Sequence, residues 1–155
     1  MNKSHPRNST YPSPSFLTSG PATTSLTLVL AHGAGAAMDS PFMNTIAEGV
    51  ARAGVRVVRF EFPYMRARRE CGKKRPPDRE PVLLQAYRDV IEKLGGGNNL
   101  VIGGKSLGGR IASMVADQAG VLPGLPFPPA WESRAFANRA SKNDEHSDAD
   151  HPGRS

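Results

Sequence analysis

Three times in succession an apolar run is followed by an amphipathic stretch, and this alternation restricts the chain to a small set of folds. Residues 26–31, LTLVLA, residues 55–62, VRVVRFEF, and residues 99–103, NLVIG, have the length and branched side chains of buried strands. After the first, Asp39 or Ser40 can accept backbone N–H groups at a helix start, and Pro41 suits the first turn. Phe42, Ile46, Gly49 or Val50, and Ala53 then recur at helical spacing until Gly54 closes the helix. Pro81 opens a second helix, PVLLQAYRDVIEKL, with Leu83, Leu84, Tyr87, Val90, Ile91 and Leu94 on one face. A third helix, RIASMVADQAG, turns Ile111, Met114 and Val115 inward. Strand–helix units in series predict an α/β fold, with a parallel sheet, right-handed crossovers and flanking helices.

Glycine and proline divide the chain. Nine of the fourteen Pro lie in residues 1–22 and 122–155, whereas thirteen of the sixteen Gly lie in 23–121. The folded core is therefore expected at 23–121, between disordered tails at 1–22 and 122–155. The single Cys71 excludes an internal disulfide and a multi-cysteine zinc site. No run approaches membrane-spanning length and the N-terminus lacks an apolar signal core, so a soluble, cytoplasmic protein is expected, with no membrane partner. Net charge is +6, and seven basic residues fall between Arg66 and Arg79. That concentration reads as a solvated surface loop. Without an aromatic platform it does not call for a nucleic acid partner.

Gly104-Lys105-Ser106-Leu107-Gly108 matches G-x-S-x-G and lies between a strand and a helix, the setting of a nucleophile elbow. A serine on so sharp a turn has a strained backbone, and Gly104 and Gly108 let neighbouring chain pass close by. The turn lifts the hydroxyl above the sheet and aims the Leu107 N–H, at a helix N-terminus, toward a developing oxyanion. His32-Gly33-Ala34-Gly35 follows the first strand, in the place of the loop that supplies the second oxyanion donor, from Ala34 or Gly35. His32 reads as a loop-orienting residue, because the base normally follows the serine in the chain. Gly104-Lys105-Ser106 also reads as the end of a phosphate-binding loop. That pattern needs a glycine five positions earlier, where Asn99 stands. Cys71 reads as an incidental thiol.

Together LVLAHGAGAAMDSPFM, VVRFEFPYM, GKKRPPD and VIGGKSLGGRIASMVA resemble the small bacterial α/β-hydrolases of the dienelactone-hydrolase-like group, a branch related to the human testis-expressed and NSL-complex-subunit hydrolase-like proteins. The resemblance covers about residues 25–121. It implies a partial α/β-hydrolase three-layer fold, in which the three strands take the order 2-1-3 and set the His32 loop beside Ser106. It implies Ser106 as nucleophile and Leu107 with Ala34 or Gly35 as the oxyanion hole. The implied reaction is hydrolysis of a small ester, lactone or thioester, with a small-molecule acyl substrate and neither cofactor nor metal.

The family fold continues with strands that carry the catalytic Asp and His. After Ser106 this chain offers Asp117, in the nucleophile's own helix, and tail residues such as Asp144, His146 and His151. None has a strand-end setting, so the triad is expected to be incomplete. The tail also predicts its own origin. Leu125–Glu132 and Asn143–Gly153, decoded one base later with suitable codons, read YPFHPPGK and TMNTPTLIIQG, and the second is a well-formed buried strand. The expectation is a C-terminally truncated or frameshifted hydrolase. A non-catalytic interaction module, self-associating through the exposed edge of NLVIG, is the alternative.

Overall fold

The computed structural model describes residues 14–96, 99–119 and 122–123. In chain order they form β1 (Phe16–Ser19), β2 (Thr27–Ala31), α1 (Pro41–Arg52), β3 (Arg56–Phe60), α2 (Pro63–Cys71), α3 (Glu80–Lys93), β4 (Leu100–Gly104), α4 (Leu107–Ala119) and β5 (Leu122–Pro123). The sheet runs β1-β3-β2-β4-β5. Its centre is the parallel trio β3-β2-β4, the 2-1-3 order read from the sequence.

Two strands extend that trio beyond the expectation. β1 lies in the stretch read as an N-terminal tail, yet it pairs antiparallel with β3, Phe16 opposite Phe60. Its apolar content is only Phe16 and Leu17, too little for a periodic signal, and backbone pairing to β3 supplies the rest. β5 lies in the stretch read as a C-terminal tail and pairs parallel with β4 through Val101↔Leu122 and Ile102↔Pro123. The edge of β4 is thus partly covered, contrary to the fully exposed edge expected. The rest of the tail readings, 1–13 and 124–155, lie outside the described residues.

Helix α1 buries Met43 and Ala47, while Phe42 remains 38% exposed. The expected Ile46 and Val50 do pack against Leu30 and Val57, but Met43 and Ala47 take the buried centre of the face in place of Phe42. Ser40 is the N-cap residue but makes no side-chain cap. Residues 66–79 are not one loop either. α2 takes up residues as far as Cys71 and ends at Gly72, φ +68°, where the left-handed conformation suits glycine. Pro63 at its first turn starts it immediately after β3.

The larger core layer joins Phe60, Phe62, Tyr87, Val90, Ile102, Ile111 and Val115. Tyr87 is fully buried, and the Phe60 ring meets it edge-on at 4.9 Å. From α3 its hydroxyl reaches the carbonyls of Val29 (3.0 Å) and Gly103 (2.7 Å) and accepts the Gly103 N–H (3.2 Å). One phenol thereby ties together the two strands whose ends carry the candidate site. Burial pushes its pKa well up, so it remains a neutral donor.

Candidate active site

The site lies where β2 and β4 end side by side. Ala31 pairs with Gly104, so the next residues, His32 and Lys105, open adjacent loops. The Lys105 N–H donates to Ala31 O at 2.9 Å and extends the pairing one step past the strands. Only glycine fits at this junction. A Cβ on Gly104 would lie 2.5 Å from the Gly108 carbonyl carbon and 2.7 Å from Ala31 O. On Gly108 it would lie 2.5 Å from His32 O and 2.6 Å from Ala31 O. Gly33 is less tight, 3.4 Å from Lys105 O, and Gly35 faces open space.

Between these glycines Ser106 is the one described non-glycine residue with positive φ, +50°. This left-handed conformation costs a β-carbon residue about 1–2 kcal/mol. It is held by the Gly108 N–H to Lys105 O bond (2.9 Å) and the Arg110 N–H to Ser106 O bond (3.0 Å), which begin α4. The strained residue is also solvent-exposed. In the two loops that open side by side here, the N–H groups of Ala34, Gly35 and Leu107 have no acceptor among the described residues. Unused donors beside an exposed serine at a helix N-terminus are what an oxyanion site requires.

His32 is fully buried beneath this loop. Its Nε2 accepts the Phe62 N–H at 3.1 Å, which leaves the proton on Nδ1 to be donated to Gly33 O at 2.7 Å. Burial lowers its pKa, and both ring nitrogens are engaged by backbone. It holds the loop and has no free lone pair for the Ser106 proton. No other His falls among the described residues, and His146 and His151 lie outside them. Of the Asp117 side chain the structure gives nothing.

Several residues that the motif reading did not single out fix the loop. Tyr64 Oη reaches Gly33 O (3.4 Å) and Ala34 O (3.2 Å), while its own N–H donates to Asp78 Oδ2 at 2.8 Å. Burial, with a smaller push from Asp78, raises the Tyr64 phenol to about 12. Arg69 grips Glu61 (Nη2 to Oε1, 2.6 Å) and Asp39 (Nη2 to Oδ1, 2.8 Å; Nη1 to Oδ2, 3.0 Å). Its hydrogen bonds hold the Asp39 carboxyl below the usual carboxylate range. The Glu61 side chain is 2% exposed, so this is a buried charge with a fixed partner. Arg59 Nη1 completes the frame on Met38 O (2.9 Å) and Asn44 Oδ1 (2.5 Å). A signal was present: Arg59 and Glu61 interrupt the apolar run VRVVRFEF, and charges inside a buried strand call for partners.

The Lys105 stem packs on Gly33 and its ammonium lies 4.4 Å from the centre of the Phe42 ring. No described helix is long and apolar enough to cross a membrane.

Residues 24–142 match the family described as alpha/beta hydrolase domain. No curated protein matches the chain. Among solved structures, Est1E from Butyrivibrio proteoclasticus, with ferulic acid bound, is 14% identical with a TM-score of 0.56, covering 73% of this chain and 49% of that one. MGS-MChE2, an alpha/beta hydrolase enzyme from a lagoon-sediment metagenome of Mar Chica, Morocco, is 15% identical with a TM-score of 0.51, covering 87% of this chain and 59% of that one. At such identities the likeness is one of fold. The chain spans roughly half the length of these relatives.

Proposed function

This chain belongs to the alpha/beta hydrolase domain family, and we propose that it carries the acyl-transfer half of a serine hydrolase site. Ser106 is the nucleophile, and the N–H groups of Leu107 and of Ala34 or Gly35 bind the oxyanion. The observation that carries the reading is the positive φ of an exposed serine, on a loop adjoining one whose Ala34 and Gly35 N–H groups find no acceptor among the described residues. Ser106 Oγ attacks the carbonyl carbon of an acyl substrate. The carbonyl oxygen takes up negative charge against the N–H groups, and the leaving group departs as that oxygen re-forms its double bond. With both nitrogens of His32, the one His among the described residues, occupied, the serine proton passes to solvent water. The nucleophile is therefore slow. The substrate class is a small ester, lactone or thioester, and within the family the dienelactone-hydrolase-like group is the subgroup we favour. The reading requires no cofactor.

The test is acylation by p-nitrophenyl acetate. With no free imidazole among the described residues, the acyl-enzyme is expected to deacylate slowly, so about one equivalent of nitrophenol is released and Ser106 is found acetylated by peptide mass mapping. Release equal to that of Ser106→Ala contradicts the role.

A second reading, a non-catalytic interaction module, draws on the edge of β4, which among the described residues is paired by β5 at Val101 and Ile102. Strand addition there predicts self-association. A monodisperse monomer by light scattering at high protein concentration removes it.

A further inference from the structure

We propose that Tyr64 is a positioning residue of the oxyanion hole: its hydroxyl holds the carbonyls of Gly33 and Ala34 inward and so turns the N–H groups of Ala34 and Gly35 outward. The inference rests on the role given to Ser106 above. In a planar trans peptide the carbonyl and the following N–H point in opposite directions, and the described chain has no cis peptide. Whatever fixes Gly33 O therefore fixes the Ala34 N–H, and whatever fixes Ala34 O fixes the Gly35 N–H. The Tyr64 hydroxyl lies 3.4 Å and 3.2 Å from these two carbonyls, shared between them, and His32 Nδ1 adds a 2.7 Å bond to the first.

The lock answers a specific weakness. Gly33 and Gly35 flank Ala34, and glycine lets neighbouring peptide planes rotate at little cost. With no acceptor among the described residues, the Ala34 and Gly35 N–H groups are not held from their own side. The holding must come from the carbonyl side, which is the buried side. Tyr64 suits this task because its ring is itself immobile. It is 2% exposed, meets the His32 ring edge-on at 5.8 Å, and sits at the start of α2 with its N–H bonded to Asp78. Its phenol can donate to a carbonyl, which a phenylalanine of the same shape cannot.

The experiment compares N–H residual dipolar couplings in the full chain and in Tyr64→Phe, which keeps the packed ring. Expected is a change at Ala34 and Gly35 toward averaged values, with Leu107 and the β2–β4 ladder unaltered. Ser106 labelling by a fluorophosphonate should fall about tenfold in parallel, as expected for misaimed oxyanion donors. Couplings at Ala34 and Gly35 that survive the substitution overturn the proposal, as does a change spread equally over β2, β3 and Leu107, which would mean packing alone. Should the variant not fold, the wild-type couplings decide. Fixed values at Ala34 and Gly35 that fit single peptide planes support the lock, and averaged ones refute it. Failure of Ser106 as nucleophile shows separately, as wild-type protein that is not labelled while the couplings still report on Tyr64.

Discussion

Ser106 keeps a side chain where its backbone favours none. Relief of that strain gives a test independent of chemistry: Ser106→Gly should raise unfolding free energy by about 0.5–1 kcal/mol over Ser106→Ala in urea melts. Gly108 has the opposite constraint. Its added Cβ would meet two backbone carbonyl oxygens, at 2.5 Å and 2.6 Å, and backbone cannot swing aside as a flexible side chain can. Gly108→Ala should cost about 3 kcal/mol, whereas Gly35→Ala, in open space, should be nearly neutral. His32 sets a pH dependence. Its folded pKa is depressed by burial from 6.5, so below that value the unfolded chain binds more protons. Stability should therefore fall as pH drops through about 6.5, by up to about 1.4 kcal/mol per pH unit, until the folded pKa is reached. Urea midpoints that ignore pH in this window, or that respond equally in His32→Gln, would contradict the buried neutral imidazole.

Among the elements, α3 and α2 act on the site from opposite sides of the sequence reading. The face of α3 was legible, because Leu83, Tyr87, Val90 and Ile91 are buried at helical spacing. What spacing could not say is that Tyr87 carries a hydroxyl between β2 and β4. Tyr87→Phe strands the Gly103 backbone groups in the core and should cost about 1–2 kcal/mol by thermal or urea melts. α2 was hidden, because its basic residues read as solvated charge. Its helix depends on Pro63 at the start, Gly72 at the stop, and the anchoring of Arg69 by Glu61 and Asp39. These are tertiary contacts without a local period. Arg69→Met leaves the buried Glu61 carboxylate alone. Since Arg69 is about half exposed (47%), water offsets part of the loss, and about 2 kcal/mol is expected. The Asp39 contribution has its own sign. Its depressed carboxyl stabilises above the ordinary carboxylate pKa and loses this as pH falls through the folded value, an acid window separate from that of His32.

For the whole molecule, the parallel trio and the junction of elbow and glycine loop could be read from the chain, because strand-end glycines and an intervening serine are local signals. The flanking strands could not, since four and two residues pair through backbone groups that carry no side-chain pattern. The framing of the oxyanion loop by Tyr64, Arg69 and Arg59 joins residues 21 to 31 positions apart, beyond any motif. The central claim, a strained serine facing an oxyanion hole, is tested most directly by exposing the folded full chain to a fluorophosphonate, which needs no deacylation step, and mapping the adduct by mass spectrometry. The account predicts slow labelling at Ser106 in preference to the other serines, because no described residue offers Ser106 a free imidazole and an oxyanion hole retains part of the rate without one. Labelling no faster at Ser106 than at those serines would contradict it.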